Sequence, residues 1–270
     1  MIWVDRTVEV LSSLAEAPHG SGITELSRRH NIPKSTLHRM LNSLRRHEFI
    51  VQDSLTRRYR LGPALIRLGQ PFSAGEALRR SSVPYLRRLA TETGCTAFLT
   101  VWSEGDPVSV ALADGRAGAT GIASGTHLPL HATAAARALL AFMPEAAARD
   151  LILESAPFPP LTDSTPTAPD DVLHSVQETR RRGYAVSRDE ARTGQSSVAA
   201  PVFGGSGRAI AALAVQGPSE LFQEGGLERI IRAVTSASLR LAAEVDVSAY
   251  APVDEPTGTY AANVGDPADD

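Results

Sequence analysis

The chain has 270 residues, 43% of them hydrophobic, with a formal charge of −3, enough length and apolar content to bury a sizeable core and to make two domains the first expectation. No stretch approaches the roughly 18 uninterrupted apolar residues of a membrane helix, and MIWVDRTVEV has no basic segment leading into an apolar one, so a soluble, cytoplasmic protein without a membrane partner is expected. Cys95 is the single cysteine, which excludes an internal disulfide and any multi-cysteine metal site and reads as a small core residue.

The sum hides an asymmetry. Residues 1–80 carry thirteen basic against seven acidic side chains, and the remainder fourteen against twenty-three. The first part is suited to a polyanion and the second is not.

Along the chain, Val4, Val8, Leu11 and Ala15 fall on one face of a helix over 4–17 that Pro18 to Gly22 breaks. Thr24 is an N-cap candidate for a short helix, ELSRRH, with Leu26 inward, closed by Asn31-Ile32-Pro33. In KSTLHRMLNSLRRHEF, Leu37, Met40, Leu41 and Leu44 sit at i, i+3, i+4 and i+7 and predict a third helix with one buried stripe. The runs FIVQ and RRYRLG flank Asp53-Ser54-Leu55-Thr56 and read as a hairpin. Three helices and a hairpin in about sixty residues make a winged helix-turn-helix.

Residues 63–93 are again helical in pattern, with interruptions expected near Pro71 and Pro84. From Cys95 the pattern turns to period-two runs, TAFLTVW, PVSVALA, THLPLHA, GYAVSRD, SVAAPVF and AIAALAVQ, with helical stretches at 133–142, 145–154, 170–182 and about 225–245. This predicts an α+β fold, an antiparallel sheet with helices packed on it. The division expected is 1–62 winged helix-turn-helix, 63–80 linker helix, 81–245 second domain and 246–270 a disordered tail, which holds six acidic residues and no basic one.

A helix fits the DNA major groove, its N-terminal residues reaching base edges while free backbone N–H groups face phosphate. Lys34, Ser35, Thr36, His38, Arg39 and Asn42 occupy that end and outward face of the third helix. Arg39 suits guanine and Asn42 adenine in bidentate pairs; Ser35 and Thr36 suit a phosphate or a cap. Arg57, Arg58 and Tyr59 stand at the hairpin, where a wing meets phosphates or the minor groove. The bland alternative is a solvated helix face, against which the turn at 31–33, the hairpin and the local positive charge all speak.

An enzyme is not expected. There is no G-x-S-x-G elbow and no cysteine motif with a matching acid. His127 and His131 have a metal-binding helical spacing, yet Pro129 between them makes the stretch extended, so neither metal nor cofactor is expected and His131 is read as a backbone hydrogen-bonding residue. Gly204 to Gly207 lacks the Lys-Ser/Thr of a phosphate loop and reads as a hairpin turn.

IPKSTLHRMLNSL followed by RRYRLGPALIRLG resembles the N-terminal domain of IclR-family transcription regulators, and LPLHATAAARALLA, GYAVSRDEARTG and SVAAPVF resemble their effector domain, in the same order from about residue 3 to 245. The resemblance implies a homodimer or dimer of dimers that binds a double-stranded DNA operator, with a GAF-like effector-binding domain whose pocket takes a small organic or aromatic acid. It implies effector contacts at Thr133, Ala134, Ala135, Ser187, Ser197, Ala214 and Gln216. The hydroxyls of Thr133, Ser187, Ser196 and Ser197 suit a carboxylate or carbonyl-rich ligand. Three departures stand out: Ala136-Arg137 where the family usually has Gly-Lys, Arg57 where it often has a wing glycine, and Ala214 and Gln216 where some relatives carry serines. The functional expectation is a sequence-specific regulator, a repressor rather than an activator, in which the ligand changes operator affinity by about 1 to 3 kcal/mol. The alternative is a metabolite-binding or enzymatic domain whose winged helix mediates protein contacts.

Overall fold

The computed structural model describes residues 3–69, 73–103, 105–118, 120–205, 207–223 and 225–245. Pro71 and the acidic segment 246–270 lie outside the described residues. The chain divides into two compact units, the first ending at Glu76 and the second beginning at Ala77.

The first unit comprises α1 (Trp3–Ala15), α2 (Ile23–Arg29), α3 (Lys34–Arg46), the antiparallel hairpin of β1 (Ile50–Gln52) and β2 (Tyr59–Leu61), and α4 (Pro63–Gly69). Its core joins Val10, Leu14, Leu26, Ile32, Leu37, Met40, Leu41, Ile50 and Tyr59. The α3 stripe is the expected one, with Leu44 packed at its edge. On α1 the inward face differs from expectation: Val10, Ser13 and Leu14 are buried, whereas Val4 and Val8 are 64% and 55% exposed and Ala15 is exposed. Both stripes have helical spacing, so periodicity alone could not choose between them; packing against the rest of the unit does. Thr24 is also corrected. The N-cap of α2 is Gly22, whose N–H donates to the Glu25 carboxylate at 3.4 Å. Before α2 the chain makes a bridge that the sequence did not suggest, with Ser21 and Tyr59 exchanging N–H···O bonds of 3.0 and 2.9 Å. Gly20 permits it: φ is +71°, and a Cβ there would lie 2.5 Å from the Tyr59 carbonyl oxygen.

The second unit is α+β. After α5 (Ser73–Thr93) come β3 (Thr96–Ser103), β4 (Asp106–Ala113), α6 (Ala134–Leu140), α7 (Glu145–Glu154), α8 (Pro169–Arg182), β5 (Ala185–Arg188), β6 (Gln195–Phe203), β7 (Ala209–Pro218), a 3-10 turn (Ser219–Phe222) and α9 (Gly226–Glu244). The five strands form one antiparallel sheet in the order β4-β3-β7-β6-β5. One face packs with α5 and α9 through Leu86, Leu89, Leu99, Leu213, Ile230, Val234 and Leu241, a core that also buries Cys95. The other packs with α6 through Phe98, Ala135, Ala138, Ala199 and Ala214.

Two expectations fail here. THLPLHA is not a strand: His127 makes a single bridge to Val108, and Pro129 turns the chain so that its carbonyl accepts from Ala132 N–H and the Thr133 hydroxyl. Pro84 does not interrupt α5 but lies inside it. Leu78, Leu86 and Leu89, each at most 1% exposed, anchor the helix on the core, and that packing outweighs the one hydrogen bond a proline removes.

Candidate functional site

Helix α3 begins at Lys34 after Pro33, whose side chain offers no cap acceptor. The first-turn N–H groups and the positive end of the helix dipole are therefore open to an external anion. Lys34, Ser35, His38 and Arg39 are exposed, and Thr36 and Asn42 half-buried. Asn42 Nδ2 lies 3.1 Å from His38 Nδ1, one helical turn apart, so these two side chains are held together on the same face. Neither Ser35 nor Thr36 is the cap.

The wing is a built turn. Asp53 Oδ1 accepts from Leu55 N, Thr56 N and Thr56 Oγ1 at 3.0, 2.7 and 2.9 Å, and these bonds, the Thr56 backbone one foremost, hold its carboxyl below the usual carboxylate range. Arg57 follows in the left-handed region with φ of 57°, the conformation a glycine takes at no steric cost. Its side chain is exposed beside the turn. Arg58 is engaged inside the unit, Nε donating to the Gly20 carbonyl at 2.9 Å and Nη2 pairing with Glu25 at 3.1 Å. Tyr59 is 4% exposed and belongs to the core. Of the three wing residues, Arg57 alone presents a free side chain; Arg58 holds the wing to the start of α2, and Tyr59 is corrected from surface to core because the second strand of so short a hairpin must turn one side chain inward.

In the second unit, strand register aligns Ser187, Ser197, Gln216 and Thr96 in one row across β5, β6, β7 and β3. The next row on the same face is Ala185, Ala199, Ala214 and Phe98, and Ala134 and Ala135 of α6 pack over it. The seven residues expected around an effector thus share the side of the sheet covered by α6. Thr133 is the N-cap of α6, accepting from Ala136 N–H at 3.4 Å. Ser187 Oγ donates to the Ala132 carbonyl at 2.9 Å and ties the row to the entry of that helix. Ser196 is not part of it: it lies on the other side of β6, where its hydroxyl meets Ser219 at 2.9 Å.

Four further hydroxyl residues escaped the sequence reading. Thr96 completes the polar row. Thr100 and Ser109 face each other across β3 and β4, each 0% exposed and each with a hydroxyl that has no hydrogen-bond partner among the described residues, and the same holds for the buried Thr120 Oγ1. The alternation in TAFLTVW carries the signal for two of them, since Thr96, Phe98 and Thr100 point the same way.

Arg137 belongs to α6, the helix that covers this face. It is 4% exposed and donates to the carbonyls of Val186 (2.9 Å) and His131 (3.2 Å) and to the Glu190 carboxylate. Burial pushes its guanidinium down to about 10, still charged at neutral pH. An arginine inside the alanine-leucine run TAAARALLA was the legible signal. His131 stacks on Phe158 with ring centroids 4.7 Å apart, and its Nε2 meets the Pro159 carbonyl at 3.1 Å, whereas His127 pairs with Asp106. The two histidines serve separate local contacts.

Residues 4–54 match the IclR helix-turn-helix domain, and residues 74–243 match the bacterial transcriptional regulator IclR C-terminal domain. The HTH-type transcriptional regulator BhcR of Paracoccus denitrificans is 32% identical over 88% of this chain and 85% of its own. The HTH-type transcriptional repressor AllR of Escherichia coli K12 is 26% identical over 82% of each. Among solved structures, an IclR homolog complexed with 4-hydroxybenzoate from Microbacterium hydrocarbonoxydans superposes with a TM-score of 0.76 over 92% of this chain and 99% of that one; at 22% identity the likeness is one of fold. No helix of the described residues is long and apolar enough to cross a membrane. A helix-turn-helix unit with an open, basic third helix, followed by an antiparallel α+β unit over the lengths those domain models cover, places this chain in the IclR family of DNA-binding transcriptional regulators, a family of regulators rather than enzymes.

Proposed function

We propose that this regulator is a repressor acting in the cytoplasm as a homodimer or dimer of dimers, binding a roughly palindromic operator and released or retained by a small organic or aromatic acid. Residues 1–62 would be its DNA-binding domain, 63–80 a linker and 81–245 the effector domain. The observation that carries the DNA half is the uncapped start of α3 with Lys34, Ser35, His38 and Arg39 exposed beside it. Arg39 and the Asn42–His38 pair supply base-edge contacts, Lys34, Ser35, Thr36 and the exposed Arg57 phosphate contacts. The effector half rests on the Ser187–Ser197–Gln216–Thr96 row beside small alanines under α6 and on Thr133, the N-cap of that helix. Hydroxyl and amide donors at the rim of an apolar floor suit an acid with an apolar body. AllR, by its name as a repressor, and the Microbacterium homolog, by its bound 4-hydroxybenzoate, support the reading.

The test is a fluorescence-anisotropy titration against duplexes from the regions flanking the gene, at physiological salt with excess nonspecific competitor, with and without a panel of aliphatic and aromatic acids including 4-hydroxybenzoate. Competitor-resistant binding shifted by one acid is the expected result. Equal binding to every duplex at moderate salt would refute specific recognition.

A further inference from the structure

A groove of about 300 Å³ runs between the second half of α5 and α9, lined by Tyr85, Arg88, Glu92, Arg229, Arg232 and Arg240. A second depression shares Tyr85, Arg88 and Arg240 with it and extends the surface to Glu244, the last residue of α9. Two of the four arginines come within ion-pair distance of an acid on their own helix, Arg88 with Glu92 at 4.0 Å and Arg232 with Glu228 at 3.9 Å. Both contacts are at the outer limit of an ion pair and exposed, where such pairs hold little. Arg229 and Arg240 are exposed and make no ion pair among the described residues. The groove is therefore a positive strip on a part of the chain whose remaining charge is negative: residues 81–270 carry fourteen basic and twenty-three acidic side chains.

Six of those acids, Asp246, Asp254, Glu255, Asp266, Asp269 and Asp270, belong to the final segment 246–270, which has no basic residue. That segment leaves α9 at the end of the same groove. From Arg240 back to Arg229 the helix rises only about 16 Å, at 1.5 Å per residue, while the nine residues from Val245 to Asp254 reach up to about 30 Å when extended. Asp254 and Glu255 can thus come back over Arg229 and Arg232 with chain to spare.

We propose that the groove between α5 and α9 is the docking site of the chain's own acidic C-terminal segment, held by Arg229, Arg240 and their two neighbouring arginines. The contact is electrostatic and solvent-exposed. Its consequence is that the segment competes with any other polyanion, DNA included, for this strip and keeps DNA contact confined to the helix-turn-helix unit.

The experiment uses the full chain. A photo-reactive benzophenone amino acid replaces Tyr250 or, separately, Tyr260, an equal mixture of 15N-labelled and unlabelled protein is irradiated, and cross-linked peptides are mapped by mass spectrometry. Cross-links to the α5 and α9 peptides within chains of one isotope are expected. They should fall about tenfold on raising salt to about 0.5 M, where screening reaches within a few ångströms. They should fall as far in Arg229→Glu with Arg240→Glu, and also in Asp254→Asn with Glu255→Gln, a change outside the described residues. Cross-links that scatter over other surfaces, join different isotopes, or persist in both charge variants would overturn the proposal.

Discussion

Arg137 of α6 and Glu190, 53 residues later in the connection after β5, form an ion pair whose side chains are 5% and 15% exposed. Two charges taken out of water are tolerated because they meet each other and because the guanidinium also serves the carbonyls of Val186 and His131. Removing one partner leaves the other charged and buried. Glu190→Gln or Arg137→Ala should cost about 3–5 kcal/mol, read from urea unfolding midpoints, whereas Arg137→Met combined with Glu190→Leu should cost far less. A double variant as unstable as the singles would show that the pair's backbone hydrogen bonds, not its charges, hold the two elements together.

His131 makes stability depend on pH. Burial is the main cause that lowers its imidazolium below the usual 6.5; the bond to the Pro159 carbonyl opposes this, and the charge of Arg137 adds to it. The unfolded chain therefore binds a proton more readily than the folded one. Its contribution is fully present above the unfolded value and is lost as pH falls through 6.5 toward the folded value. Thermal midpoints measured between about pH 5 and 8 should fall on the acid side, and His131→Gln should flatten that limb.

Thr100 and Ser109 carry hydroxyls without a partner among the described residues, and an unsatisfied buried hydroxyl costs about 1–3 kcal/mol. Thr100→Val keeps the shape and removes the hydroxyl. In the ligand-free protein its melting midpoint should rise by about 2–4 °C per kcal/mol relieved. A lower midpoint would mean that a bound water or neighbour already satisfies the threonine.

On the DNA side, Arg39→Ala should weaken operator binding by about 1–3 kcal/mol and relax preference at one base pair, and Lys34→Ala should weaken all duplexes alike and shallow the salt slope by about one. Arg57→Gly separates two roles: relief of a left-handed backbone worth about 1–2 kcal/mol in stability, and loss of a phosphate contact. Anisotropy titrations at several salt concentrations, beside unfolding curves, distinguish these outcomes.

Much of this molecule was legible in its residues. The period of 3.6 in KSTLHRMLNSL marked α3 and its stripe, and the period of two marked every strand of the large sheet, because backbone geometry alone sets those spacings. Local charge and turn chemistry then marked the outward face of α3. What spacing leaves undetermined is which of two equally periodic faces meets a neighbour. The α1 stripe, the inward turn of Tyr59 and the persistence of α5 through Pro84 were all decided by packing between segments far apart in sequence. The same holds at the site. Alternation could align Thr96 with Thr100, but only the register of β5, β6, β7 and β3 puts Ser187, Ser197, Gln216 and Thr96 in one row, and only the folded core brings Glu190 to Arg137. Local sequence determined the elements and their chemistry; the tertiary structure decided the partners, because burial and charge pairing are paid for across the whole fold.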